Sequence, residues 1–340
     1  MRFVKGLLLG VLVLVALLIV VGLFLPRMVH VERSTVIDAP PCTVFALVNS
    51  FKRFNEWSPW AALDPNAKYA FTGPSQGVGA KMSWSSNDRQ VGSGSQTIVT
   101  SQPFKLVETK LDFGRQGVAN GFYKVAAVDK GTRLTWGFDT DLGSNIIARY
   151  FGLLMDSMAG KDFEKGLAKI ETLAEALPKG DWSDLKIELV TTQSKTVVGV
   201  AGHSGLDPAQ IGRVLSDAFK KVMRYVTRNG LEMAGPPIAI TTSWDDNGYG
   251  FIAGVPIAGS RVPKSRRGSP VEIHRTYAGE AVKAVHVGSY ASMHPTYEKI
   301  ISYMAAYGLE SNGSSWEEYV SDPIGTPEAE LVTNVFFPVK

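Results

Sequence analysis

"SSWEEYVSDP", residues 314–323, sets two adjacent carboxylates, Glu317 and Glu318, between Trp316 and Tyr319. The stretch reads as a strand. Side chains alternate across a strand, so Trp316, Glu318 and Val320 share one face while Glu317 and Tyr319 share the other. Whichever face is interior, a glutamate points the same way as an aromatic ring, and a buried charge is costly unless it finds a partner. Two readings compete. The pair protects an edge strand from docking onto a neighbour, or Glu317 and Tyr319 look into a groove while Glu318 faces solvent.

Working outward from this stretch, residues 185–340 repeat themselves. "KTVVGVAGHSG" followed by "DPAQIGRVLSDAFKKVMRYVTRNGLEM" matches "EAVKAVHVGSY" followed by "HPTYEKIISYMAAYGLES" in its strand, glycine loop, proline at a helix start and closing Tyr-x-x-x-x-Gly-Leu. Tyr225 to Gly230 and Tyr303 to Gly308 have equal spacing. Ile211, Val214, Leu215, Ala218, Val222 and Tyr225 form one helical stripe; Tyr297, Ile300, Ile301 and Met304 form the other. Pro208 and Pro295 suit a first helical turn. The unit reads as β-α-β-β, taken twice over about 185–260 and 270–340. Both helices are expected on one side of an antiparallel sheet, about a pseudo-twofold axis.

The motifs "HVGSY" (286–290) with "YEKI" (297–300), "WEEYVSDP" (316–323) and "TNVFFPV" (333–339) resemble the GyrI-like, AraC-type effector-binding domain. The resemblance implies a groove at the pseudo-twofold that takes amphipathic, often cationic, small molecules on a glutamate flanked by aromatics. Matched position by position, the carboxylate falls on Glu317, with Tyr319 beside it, Tyr290 opposite and Trp316 on the same strand. Ala239 occupies the equivalent position of the first repeat, which predicts a single site. Some relatives of this domain act as hydrolases through such a glutamate and tyrosine, so Glu317 and Tyr319 are also candidate catalytic residues.

Residues 31–177 read differently. A strand at 31–37, "DAPP", a short amphipathic helix with Val44, Phe45, Leu47 and Val48, and a tract of turns spaced as in an antiparallel meander lead to one long helix. Its apolar positions are Ile147, Tyr150, Phe151, Leu154, Met158, Phe163, Leu167 and Ile170. The order, with "IDAPPCTVF", "FKRFNEWSPW" and "GPSQGVGA", resembles the START-like, polyketide-cyclase-type helix-grip fold. That likeness implies a sheet wrapped round the last helix and a cavity between them, which Trp57, Trp60, Trp84, Trp136 and Phe138 are placed to line unless they are plain core aromatics. A linker at 178–184 joins the two bodies. The fold class is α+β.

Ahead of both, Gly6 to Leu25 is an uncharged run of 20 residues, enough to cross about 30 Å of hydrocarbon. No small-x-small cleavage signature follows it, which favours an uncleaved anchor, residues 1–28 including a short cytoplasmic tip. Arg2, Lys5 and the N-terminal amine before the run against Arg27 and Arg33 after it give a slight positive-inside bias. In a bacterial cell this predicts a single-pass inner-membrane protein with its soluble domains in the periplasm.

The remaining composition narrows the function. A net charge of +3 from 35 basic and 32 acidic residues lacks the basic excess of a nucleic-acid binder. The span and the helix-grip body occupy the place of a DNA-binding head. A single cysteine, Cys42, and five histidines without ligand spacing predict no disulfide, metal or cofactor. No nucleophile elbow, zinc helix or phosphate loop is present. "GHSG" (202–205) reads as a loop, and the basic run with Arg261, Lys264, Arg266 and Arg267 as a solvated connection. The expected function is a membrane-anchored binder of hydrophobic or amphipathic small molecules, more a binder than an enzyme. A hydrolase and a protein-interaction scaffold with an unknown partner are the alternatives.

Overall fold

The computed structural model describes residues 2–114, 117–259 and 270–340. The basic run at 261–267 therefore lies outside the described residues. The chain divides into two compact units, the first essentially up to Asp181 and the second from Trp182 onward.

The first unit opens with α1 (Arg2–Phe24), a helix long and apolar enough to cross a membrane. There follow β1 (Met28–Ile37), α2 (Pro41–Val48), α3 (Phe54–Trp57), β2 (Lys68–Thr72), β3 (Lys81–Ser85), β4 (Ser93–Gln102), β5 (Leu106–Asp112), β6 (Val118–Val128), β7 (Gly131–Asp141) and α4 (Ile146–Glu175). The strands form one antiparallel sheet ordered β1-β7-β6-β5-β4-β3-β2, a meander whose first strand returns beside the last. Asn145 caps α4 by accepting the Ala148 backbone N–H. Phe163, Leu167, Ile170 and Ala174 of α4 close the core against Ile98, Val107, Leu134 and Trp136 of the sheet.

The apolar pattern of α4 divides in two. Phe163, Leu167 and Ile170 are buried, whereas Ile147, Phe151, Leu154 and Met158 are exposed. Helical periodicity identified a helix correctly but not which apolar stripe meets the sheet.

The second unit comprises β8 (Lys186–Thr192), β9 (Thr196–Ser204), α5 (Pro208–Arg228), β10 (Ile238–Asp245), β11 (Gly248–Pro256), β12 (Val271–Arg275), β13 (Gly279–Val287), α6 (Met293–Tyr307), β14 (Trp316–Tyr319) and β15 (Val332–Pro338). Each half thus has one strand more than the β-α-β-β read from the sequence. The extra strands, "KIELVTT" and "VEIHR", are short and charged, and they close the two edges of the sheet. They are exchanged between halves: β8 pairs with β13 of the second repeat, and β12 with β9 of the first. The order β12-β9-β11-β10-β14-β15-β13-β8 is symmetric about the β10–β14 seam. At that seam Ala239 lies directly opposite Glu317, so the positions equivalent by repetition are neighbours in space.

Candidate functional site

β14 is an interior strand, hydrogen-bonded to β10 on one side and β15 on the other. The edge-protection reading of the two glutamates therefore does not apply. Alternation decides the rest. Glu317 and Tyr319 point to the helix side of the sheet, and Trp316 and Glu318 to its opposite face.

On the helix side Glu317 is 9% exposed. One carboxylate oxygen accepts a hydrogen bond from the Tyr297 phenol of α6, the other from the Tyr319 phenol two residues along the same strand. Tyr319 meets Phe219 of α5 edge-on at 5.6 Å and Tyr290 edge-on at 5.4 Å. Tyr297 thus brings α6 to the carboxylate, and Phe219 brings α5 to the ring of Tyr319. Tyr249, buried on β11, adds a further phenol whose electrostatics respond to Glu317. Tyr290 is 39% exposed and stands where the "HVGSY" segment leaves β13. Gly288 in that turn has φ of +133°, a conformation open to glycine and costly for other residues.

Burial lifts the Glu317 pKa above the ordinary carboxylate range. The hydrogen bonds from Tyr297 and Tyr319 and the influence of His286 oppose that rise without cancelling it. His286 is fixed by contacts from Nδ1 to Thr296 Oγ1, 2.8 Å, and from Nε2 to the Ser289 carbonyl, 3.1 Å. Burial and then the Glu317 charge hold Tyr297 and Tyr319 well above the usual phenol value, so both remain protonated donors. The result is a desolvated carboxylate, held by two neutral O–H donors and walled by aromatic rings. Such an arrangement combines Coulomb attraction and ring faces, the two features that bind an organic cation.

The other residues named from the sequence lie elsewhere. Trp316 does not line this groove. It stacks on Phe336 with ring centroids 4.6 Å apart and 4° between planes, and borders a cavity of about 280 Å³ on the opposite face with His274 and Tyr277. Glu318 does not face solvent: its side chain is 12% exposed and paired with Lys195 Nζ at 2.9 Å. Trp136 is 4% exposed, stacked on Phe163 at 4.3 Å and met edge-on by Trp57 and Trp60, so it fills the first unit's interior. Trp84, half-buried, donates its indole N–H to the Val91 carbonyl and packs on Phe113. "GHSG" begins within β9, where neighbouring His203 and Ser204 point to opposite faces. Among the described residues no group of three or more metal-binding side chains occurs.

Tyr297, Tyr249 and Phe219 escaped the sequence reading as site residues. Tyr297 carries a signal, seven residues after Tyr290 at the head of a helix, but its place in that helix's apolar stripe masks it. Tyr249 and Phe219 lie far from Glu317 in the chain, and the sheet and α5 bring them to it.

Comparison with known proteins agrees with this division. Residues 28–175 match the family described as polyketide cyclase / dehydrase and lipid transport, and residues 185–340 the family described as GyrI-like small molecule binding domain. No curated protein matches. Among solved structures, the EcmrR C-terminal domain is similar at 16% identity and TM-score 0.40, over 46% of this chain and 98% of that one. A hydrolase from Listeria innocua is similar at 17% identity and TM-score 0.33, over 46% and 92%. The Aha1 dimer from Colwellia psychrerythraea is similar at 15% identity and TM-score 0.31, over 44% and 97%. The chain is thus built of a polyketide cyclase/dehydrase-type domain followed by a GyrI-like small-molecule-binding domain.

Proposed function

We propose that this is a membrane-anchored receptor for amphipathic organic cations, which it holds on Glu317 within the tyrosine ring. The observation that carries this is the Glu317 carboxylate, desolvated and held by the phenols of Tyr297 and Tyr319. A neutral ligand leaves that charge unpaired; a cation with aromatic surface neutralises it and covers the rings. In this reading α1 is an uncleaved anchor in the bacterial inner membrane, both domains lie in the periplasm, and the role is sensing or sequestration.

The test uses the full chain in nanodiscs of zwitterionic lipid, titrated with tetraphenylphosphonium and with neutral triphenylphosphine oxide while tryptophan emission is followed. The cation is expected to bind more tightly than the neutral compound. Glu317→Gln should weaken cation binding at least tenfold, about 1.4 kcal/mol. Equal affinity of the variant and the original chain for the cation overturns the proposal.

A second reading rests on the same two phenols. A carboxylate of raised pKa beside protonated tyrosines suits a general base with a proton donor at hand, as a hydrolase requires. Consumption of a reactive ester or epoxide, abolished by Glu317→Gln, would favour that reading over simple binding.

A further inference from the structure

The first half of α4 presents apolar side chains that none of the described residues covers. At about 100° per residue, Ile147, Phe151, Leu154 and Met158 fall within an arc of about 60°. They are 70%, 61%, 53% and 66% exposed. One large apolar residue at a surface is unremarkable; four in line on one helix face are not. The same face continues with Lys161, Lys165 and Lys169, so it changes from hydrocarbon to cationic within one turn.

The segment's own charges lie on the opposite side of the helix and are satisfied there. Arg149 donates to the Gly143 carbonyl at 2.8 Å and to the Leu23 carbonyl at 2.9 Å. Asp156 is paired with Arg33 at 2.9 Å. Nothing charged therefore interrupts the apolar face.

The position of α1 says what covers that face. Tyr150 Oη donates to the Leu18 carbonyl of α1 at 2.7 Å. Ile146 and Tyr150 close on Gly22 so tightly that a Cβ there would lie 2.2 Å from Ile146 Cγ2. The start of α4 is thus held beside the last two turns of α1, whose flanks are exposed and apolar. A medium that buries those turns reaches the adjoining stripe as well.

We infer that residues 146–158 of α4 form a second membrane-embedded element, lying in the bilayer interface beside α1, with Lys161, Lys165 and Lys169 at the headgroup level. This inference rests on the reading of α1 as a membrane span. Its partner is the lipid bilayer itself: acyl chains take the apolar stripe, and phosphates meet the lysines. The helix that closes the first domain's core is then the one that fixes that domain against the membrane.

The test places an environment-sensitive fluorophore on single cysteines in the full chain with Cys42→Ala, reconstituted in nanodiscs whose lipids carry acyl-chain doxyl quenchers. The positions are Leu14→Cys in α1, Phe151→Cys and Leu154→Cys in the stripe, and Lys169→Cys beyond it. Probes at positions 14, 151 and 154 are expected to be strongly quenched, and the probe at 169 several-fold less. Quenching at 14 with 151 and 154 behaving like 169 overturns the inference and leaves the span standing. No quenching at 14 removes the span and the inference together. Probes at 151 and 154 that are shielded from water, unquenched by lipid and cross-linked between copies assign the face to a second copy, which also overturns it.

Discussion

Glu317 keeps its proton to a higher pH in the folded chain than in the unfolded one, because burial outweighs the two phenol hydrogen bonds. The folded state therefore binds more protons between the free carboxylate value and the raised one. Stability falls as pH rises through that window, and the loss is complete above it. Removing the charge should reverse this. Glu317→Gln is expected to raise the melting temperature of the second domain at pH 7 to 8 by about 2–4 °C, on the order of 1 kcal/mol. The gain should vanish below about pH 3.5, where the original carboxyl is largely protonated in both states. Thermal unfolding measured across pH checks this, and a gain that stays constant with pH would contradict it. A bound organic cation should narrow the difference, since it stabilises the ionised form alone.

At the scale of the element, two helical glycines show how context overrides propensity. Gly166 of α4 faces the ring of Trp136, and a Cβ there would approach Cζ3 to 2.4 Å. Trp136 is held by Phe163, Trp57 and Trp60, so the ring has no free direction in which to yield. The overlap is expected to cost about 1–3 kcal/mol, more than the roughly 1 kcal/mol that alanine gains in helix propensity. Gly212 of α5 has nothing within 4 Å of the same atom. Gly212→Ala is accordingly expected to stabilise by up to about 1 kcal/mol, and Gly166→Ala to destabilise. Urea midpoints of the two variants test the pair, since propensity alone predicts the same sign for both.

For the whole molecule, the uncleaved-anchor proposal has its own readout. The chain should remain with the membrane after an alkaline carbonate wash and migrate at its full 36.8 kDa. Protease added to spheroplasts should digest both domains, as their periplasmic placement requires. A soluble product shortened by about 25 residues would identify the apolar run as a signal sequence. Retention of the full chain with protected domains would reverse the orientation, which rests on a small difference in flanking charge.

Much was legible along the chain. The apolar run, the two-body order, the internal repetition and the alternation across "SSWEEYVSDP" all follow from local periods of 3.6 and 2, which the covalent chain carries by itself. So did the pairing of Glu317 with Tyr319, two residues apart on one strand. Alternation also separates Trp316 from Glu317, although the two stand side by side in one motif. Other outcomes depended on contacts between distant segments. Which strands lie at an edge is a property of the assembled sheet, and the meeting of the two halves at the β10–β14 seam puts β14 in its interior. Tyr297 and Tyr249 reach the surroundings of Glu317, and Phe219 the ring of Tyr319, only once α6, β11 and α5 have packed. Periodicity registers that a face is apolar but not what covers it, so the buried and exposed stripes of α4 look alike in sequence. A period is a local quantity, whereas burial is a sum over every segment that arrives from elsewhere in the chain.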